Sequence, residues 1–333
     1  MKKTETVSRT YRYEELSMKL KGRHLLTLLD YTPEEITYFL DLGDELKAEF
    51  KKHGGHPNRD PLRKSLGMMF EKTSTRTRVS FETGIWELGG QPLFLSFRDT
   101  QLVGTGETPS DTGAVLSRYL GGVMARVYKH ETLQMLAENA SIPIINGLCD
   151  LYHPCQILAD LQTIREHKGK LKGLKLVYVG DGNNVAQSLM IGCTKVGMDV
   201  SVVCPDDYKP DETITKKAQE LAKKHGTKLE ITSDIPAGVK GADVVYTDTW
   251  ISMGDEAQKD IRLKAFKAFT VDSKLMSYAD KDAIFLHCLP AHRGYEVTDE
   301  VIDSKQSVVF DEAENRKHAQ KAVMLALMGD IAK

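Results

Sequence analysis

Several things are scarce in this 333-residue chain, and each shortage removes a class of function. No apolar run approaches the roughly 18–20 residues that a bilayer-spanning helix needs. There is no basic excess: Lys and Arg number 45 against 47 Asp and Glu, a formal charge of -2. A general nucleic-acid binder neutralises phosphates along a duplex and needs more positive charge than that. The five cysteines include no C-x-x-C pair, which points to reduced thiols rather than a disulfide framework. The start of the chain lacks an apolar signal segment and carries Glu5, Glu14 and Glu15, unlike a transit peptide. The expected location is cytoplasmic. Glycine signatures are incomplete too. "VGDGNN" (179–184) falls short of G-x-G-x-x-G, and "EKTSTRTR" (71–78) has none of the glycines of a Walker loop. No organic cofactor and no metal is expected.

What is present reads as an ordinary globular protein, with 41% hydrophobic and 28% charged residues. The length suits two domains, each large enough for its own core. Short β-branched runs alternate with helical stretches. The first set of expected strands is "LGMMF" (66–70), "QPLFLS" (91–96), "GVMARV" (122–127) and "IPIIN" (142–146). Helices are expected over 75–88, from Pro109, and near 131–139. After a helix over about 153–168 the alternation restarts with "LKLVYVG" (174–180), "DVSVVC" (199–204), "TKLEIT" (227–232), "ADVVYT" (242–247) and "AIFLHC" (283–288). A helix over 211–225 separates two of these, and a last one spans about 313–331. This alternation predicts an α/β fold of two doubly wound parallel sheets joined by a linking helix.

In open α/β sheets ligands bind beyond the carboxyl ends of strands. The polar clusters of this sequence fall there: "EKTSTRTR" after 66–70, Arg126 at the end of "GVMAR", His153 soon after "IPIIN", "GDGNN" after 174–180, "TDTWISMG" after "ADVVY", and "HCLPAH" after "AIFL". The pattern predicts a site between the two domains. Ser74, Thr75, Arg76 and Thr77 stand where a helix begins, and a helix N-terminus attracts anions through its unpaired N–H groups and dipole. Hydroxyls and a guanidinium fork added there suit a phosphate. A plain serine cap followed by solvated arginines is the simpler alternative, although capping alone does not call for S-T-R-T-R.

Taken together, "STRTR", "HPCQ", "DTWISMG" and "HCLP", in this order over nearly the whole chain, are similar to the motifs of the aspartate/ornithine carbamoyltransferase family. The resemblance implies a carbamoyl phosphate-binding domain of residues 1–152 plus 313–333, to which the C-terminal helix returns. It also implies an ornithine-binding domain of residues 153–312, and a homotrimer or an assembly of trimers. The implied reaction carries the carbamoyl group of carbamoyl phosphate to the side-chain amine of ornithine, giving citrulline and phosphate. Carbamoyl phosphate would bind first, and domain closure would exclude water.

Residue by residue, the resemblance implies that Ser74, Thr75, Arg76 and Thr77 seat the phosphate and that Arg126 bridges phosphate and carbonyl oxygen. His153 would donate to that oxygen and Gln156 accept from the carbamoyl NH2. Without the resemblance, Arg126 could equally be a surface ion pair and His153 a packed helix-end residue. Gln101, in a polar glycine-containing loop, would touch the phosphate of a neighbouring subunit. Arg316 would open the last helix and reach the carbamoyl group. For ornithine, Asn184, Asp248, Ser252 and Met253 would hold the α-carboxylate and α-ammonium. An aspartate-using relative would need cationic residues that "SMG" does not supply, and putrescine would leave these groups idle. Cys288 would lie beside the attacking amine, oriented by Asp248, with the Cys288 and Leu289 carbonyls receiving N–H groups. As a bare residue Cys288 also fits a small buried hydrophobe at a strand end. A zinc site from His153, Cys155, His287 and Cys288 has suitable ligand types but no paired spacing. A carbamoyltransferase for putrescine or N-acetylornithine, and a nonenzymatic metabolite-binding protein, are the alternatives.

Overall fold

In the computed structural model, residues 13–97, 106–251 and 256–329 are described. The chain forms two compact units, residues 1–158 with 315–333, and residues 159–314.

The first unit is built on a four-stranded parallel sheet of β1 (Ser65–Phe70), β2 (Gln91–Ser96), β3 (Gly122–Arg126) and β4 (Ile144–Leu148), in the order β2-β1-β3-β4. Central β1 and β3 are buried along nearly their whole length, as strands covered on both faces must be. Edge strand β2 leaves Leu93 and Phe94 exposed. Helix α1 (Pro33–His53) begins in a capping box between Thr32 and Glu35 and ends on Gly54 in the left-handed region. Then come α2 (Thr75–Glu87), α3 (Pro109–Leu116) and α4 (His130–Glu138). Helix α5 (Pro154–Lys168) contains the first division between the units.

The second unit carries β5 (Lys175–Val179), β6 (Asp199–Val203), β7 (Leu229–Thr232), β8 (Val244–Thr247) and β9 (Ile284–His287), all parallel, in the order β7-β6-β5-β8-β9. Its helices include α6 (Asn184–Lys195), α7 (Glu212–His225) and α8 (Lys259–Phe266). Val177, Val179, Val245, Phe285 and Val309 belong to one buried cluster there. The two doubly wound parallel sheets are those that the alternation predicts.

Helix α9 (Val309–Met328) returns to the first unit from Asn315 onward. Lys317 and Lys321 both reach Glu87 at the end of α2, at 2.8 and 2.7 Å. The helices approach closely because α2 has glycine at 84, where a Cβ would lie only 3.2 Å from the Lys321 Cγ. This helix starts earlier than expected, and that corrects one reading. Arg316 does not open it but sits about two turns in.

Both strand orders reverse direction in the way that makes a crevice at the carboxyl edge. In the first sheet the reversal falls between β1 and β3, and in the second between β5 and β8. No helix among the described residues is long and apolar enough to cross a membrane.

Candidate active site

In the first unit the reversal point brings the end of β1 beside the end of β3. Ser74 caps α2, its Oγ accepting from the Thr77 N–H at 3.3 Å. The capping reading is therefore correct as far as it goes. No acidic residue occupies the first turn of α2, whereas α1 has Glu34 and Glu35 there, so no carboxylate of its own offsets the positive end of α2. Arg78 pairs with Glu82 and lies 4.0 Å over the Phe94 ring, on the surface. Arg126 is buried at a register shift between β3 and β4 that falls between Ala125 and Arg126. Such a bulge re-aims a strand-end side chain.

Arg316, buried, ties this half-site together. Its Nη1 donates to Gln156 Oε1 at 2.5 Å and its Nη2 to Thr77 Oγ1 at 3.4 Å. His153 precedes α5 and is buried near the same guanidinium. Burial first, then the charges of Arg316 and Arg126, hold its imidazole well below the usual histidine range. It is thus a neutral ring, able to donate one hydrogen bond without carrying charge. The first unit brings Thr77, Arg126, His153, Gln156 and Arg316 together around buried cationic groups suited to an anion with an adjoining polar carbonyl.

The second unit assembles a different chemistry. The turn after β5 has glycine at 182, where a Cβ would meet the Pro210 nitrogen at 2.2 Å, so no side chain fits. Asn183 then caps α6, its Oδ1 accepting from the N–H groups of Val185 and Ala186 at 2.9 and 3.2 Å. Its amide donates to Asp248 Oδ2 at 2.9 Å. Asp248, just beyond β8, also accepts at Oδ1 from the Thr249 N–H at 2.8 Å and from the Cys288 thiol at 3.0 Å. Burial and the neighbouring Asp248 push the Cys288 thiol well above its usual range. It stays protonated as a donor, which favours positioning over covalent attack. Asn184, half-buried, opens α6 beside Asn183.

After β9 the chain turns sharply. Leu289 has a φ of 56° and is followed by a cis bond to Pro290. Its N–H donates to His287 Nδ1 at 2.8 Å, and His287 Nε2 faces Glu296 at 3.2 Å. Asp248, His287 and Cys288 place ligand-type atoms within 4.8 Å of one another. Each of those side chains is already engaged in the hydrogen bonds just given. His292, unassigned from sequence, lies 3.1 Å from Thr249 Oγ1 through its Nδ1. Gln101, Ser252 and Met253 fall outside the described residues.

Two contributors escape a sequence reading. Asn183, next to Asn184, donates to Asp248; an Asn before an apolar helical run is a recognisable cap signal. Arg262 donates to Asp181 at 2.9 Å and to the Trp250 carbonyl at 3.0 Å, fixing the turns after β5 and β8 to each other. It comes from α8, and no local pattern marks it.

Comparison with known proteins also divides the chain in two, although the second match runs on through α9 to residue 327, past Glu314 where the second unit ends. Residues 23–166 match the carbamoyl-P binding domain of the aspartate/ornithine carbamoyltransferases, and residues 172–327 match their Asp/Orn binding domain. The chain is 58% identical over 313 residues to the ornithine carbamoyltransferase of Oceanobacillus iheyensis, covering 94% of this chain and 96% of that protein. Among solved structures it resembles ornithine carbamoyltransferase from Pyrococcus furiosus, with a TM-score of 0.88 and 53% identity, covering 94% and 99% of the two chains. A mitochondrial ornithine carbamoyltransferase from Coccidioides immitis gives a TM-score of 0.84 at 38% identity, covering 94% and 100%. With both units matched at this level of identity, the chain belongs to the aspartate/ornithine carbamoyltransferase family.

Proposed function

We propose that the chain transfers the carbamoyl group of carbamoyl phosphate to the side-chain amine of L-ornithine, giving L-citrulline and phosphate. The observation that carries the choice of an amino acid is the setting of Asp248. This buried carboxylate accepts hydrogen bonds from Asn183, Thr249 and Cys288, all uncharged donors. A buried carboxylate without a cationic partner among the described residues is costly unless a ligand supplies the positive charge. The α-ammonium of ornithine supplies it, with Asn184, Ser252 and Met253 taking the α-carboxylate.

Carbamoyl phosphate lies on Ser74, Thr75, Arg76 and Thr77 through its phosphate. Arg126, His153 and Arg316 polarise the carbonyl, and Gln101 adds a contact from a neighbouring subunit. Nitrogen attack forms the C–N bond, and the C–O bond to phosphate breaks, phosphate leaving with the electron pair. A primary alkylamine in water titrates near pH ~10.4 and so arrives protonated. It must lose that proton before attacking, and desolvation favours the loss. The Cys288 and Leu289 carbonyls receive the N–H groups. No metal or organic cofactor takes part. The exposed Val79, Trp86, Leu93 and Phe94 of the first unit are apolar surface that assembly as a homotrimer, or as an assembly of trimers, would cover. The proposed location is the cytoplasm.

Turnover with ornithine, putrescine, N-acetylornithine and aspartate, measured side by side, tests the assignment. Ornithine should exceed each of the others by at least about a hundredfold in kcat/KM, because N-acetylornithine lacks the α-ammonium for Asp248, putrescine lacks the α-carboxylate and aspartate lacks the side-chain amine. An equal or higher rate with any of the other three overturns it.

A further inference from the structure

Beneath the Cys288 end of β9 lies a pair of acids for which the reaction has no direct use. Asp160 of α5 and Glu312 of α9 are both fully buried in the second unit, at 0% and 1% exposure. Their carboxyl groups are neighbours. Two ionised carboxylates side by side in a buried setting repel, and a proton on one of them relieves that repulsion and supplies a donor. Glu312 has further partners: Oε1 accepts from the Tyr246 hydroxyl at 3.1 Å, and Oε2 accepts from the His287 N–H at 2.9 Å. The groups that face the pair are therefore Tyr246 from β8, the His287 amide and Cys288 from the β9 side, and Cys193 from α6.

We propose that Asp160 and Glu312 share a single proton, and that this buried acid pair is a positioning element that fixes the end of β9 carrying Cys288. Through the His287 amide, Glu312 holds the residue before Cys288, and the thiol of Cys288 in turn donates to Asp248. Neither acid is among the groups assigned to the substrates. It is a property of the second unit alone and holds whichever amine reacts.

Burial, then Asp160 beside it, pushes the Glu312 carboxyl well above the usual carboxylate range. An unfolded chain releases such a proton near pH ~4.3, while the folded pair keeps it. Between those two values the folded state binds more protons, so this contribution to stability declines as pH rises. It levels off only where the folded pair finally ionises.

Isosteric amides test the shared proton, because an amide imitates a protonated acid. Melting temperatures of the full-length protein, Asp160→Asn and Glu312→Gln are compared from about pH 5 to about pH 9. At least one amide variant should fold, and its melting temperature relative to wild type should move in its favour by roughly 1–2 °C per pH unit. A difference flat with pH, or failure of both variants to fold, overturns the shared proton. Alkylation of Cys288 by iodoacetamide, followed by peptide mass mapping, tests positioning. The remaining cysteines are buried whereas Cys288 is half-buried, so exposure and not thiol acidity sets it apart. Glu312→Ala, which strips the His287 amide of its acceptor, should change the Cys288 alkylation rate several-fold, and Glu312→Gln should restore it. Equal rates in wild type and Glu312→Ala, or no restoration by glutamine, contradict the positioning role.

Discussion

Arg76→Ala is expected to weaken carbamoyl phosphate binding by about 3–5 kcal/mol, roughly a hundred- to a few-thousand-fold in Kd. The size follows from the chemistry of the α2 N-terminus. A phosphate bound there as proposed would be held by N–H groups, by hydroxyls and by a guanidinium whose fork matches two phosphate oxygens. Removing the guanidinium leaves a dianion with one counter-charge fewer in a half-buried setting. A purely capping stretch makes a different forecast. Loss of the cap itself, as in Ser74→Ala, costs about 1 kcal/mol of stability, and Arg76→Ala would then leave affinity unchanged. Calorimetry with carbamoyl phosphate, paired with thermal melts of both variants, separates the two. Unchanged carbamoyl phosphate affinity in Arg76→Ala would falsify the phosphate pocket.

Asp248→Asn should act on the other substrate. We expect kcat/KM for ornithine to fall by about a hundred- to a few-thousand-fold, the cost of truncating one member of a buried, hydrogen-bonded charge pair. Carbamoyl phosphate affinity should be nearly unchanged, because Asp248 belongs to the second unit. Asparagine keeps an oxygen for the Thr249 amide and the Cys288 thiol. It presents a donor where the Asn183 amide now donates at 2.9 Å, so local geometry suffers as well as charge. Steady-state kinetics with ornithine varied at saturating carbamoyl phosphate reads the result. A loss confined to kcat, with KM for ornithine untouched, would remove Asp248 from substrate binding and leave it as a support for Cys288 alone.

Much of the fold is legible in sequence because β-branched and apolar runs such as 174–180 and 199–204 are short, continuous and bounded by turns. Strand-end placement then puts Arg126, Asp248 and Cys288 at the carboxyl edges before any contact is known. Helix α1 escapes the alternation although Thr32, Pro33 and Glu35 spell out its capping box. The start of α9 is placed late, at about 313 instead of Val309, because its first residues are apolar and precede the polar stretch that marks the helix. Arg262 leaves no trace in sequence, since its partners Asp181 and Trp250 meet it only through the tertiary fold. The acid pair is of the same kind. Asp160 and Glu312 look like solvated helix charges in sequence, and only burial distinguishes them.

The proposed reaction needs carbamoyl phosphate seated at the N-terminus of α2 and ornithine anchored through Asp248. A crystal structure with a mimic joining a phosphonate to ornithine tests it most directly. We expect the phosphonate at Ser74–Thr77 and the α-ammonium within about 3 Å of the Asp248 carboxylate. A mimic bound in the reverse sense, with its α-carboxylate at Arg76, or bound away from both residues, would contradict the account.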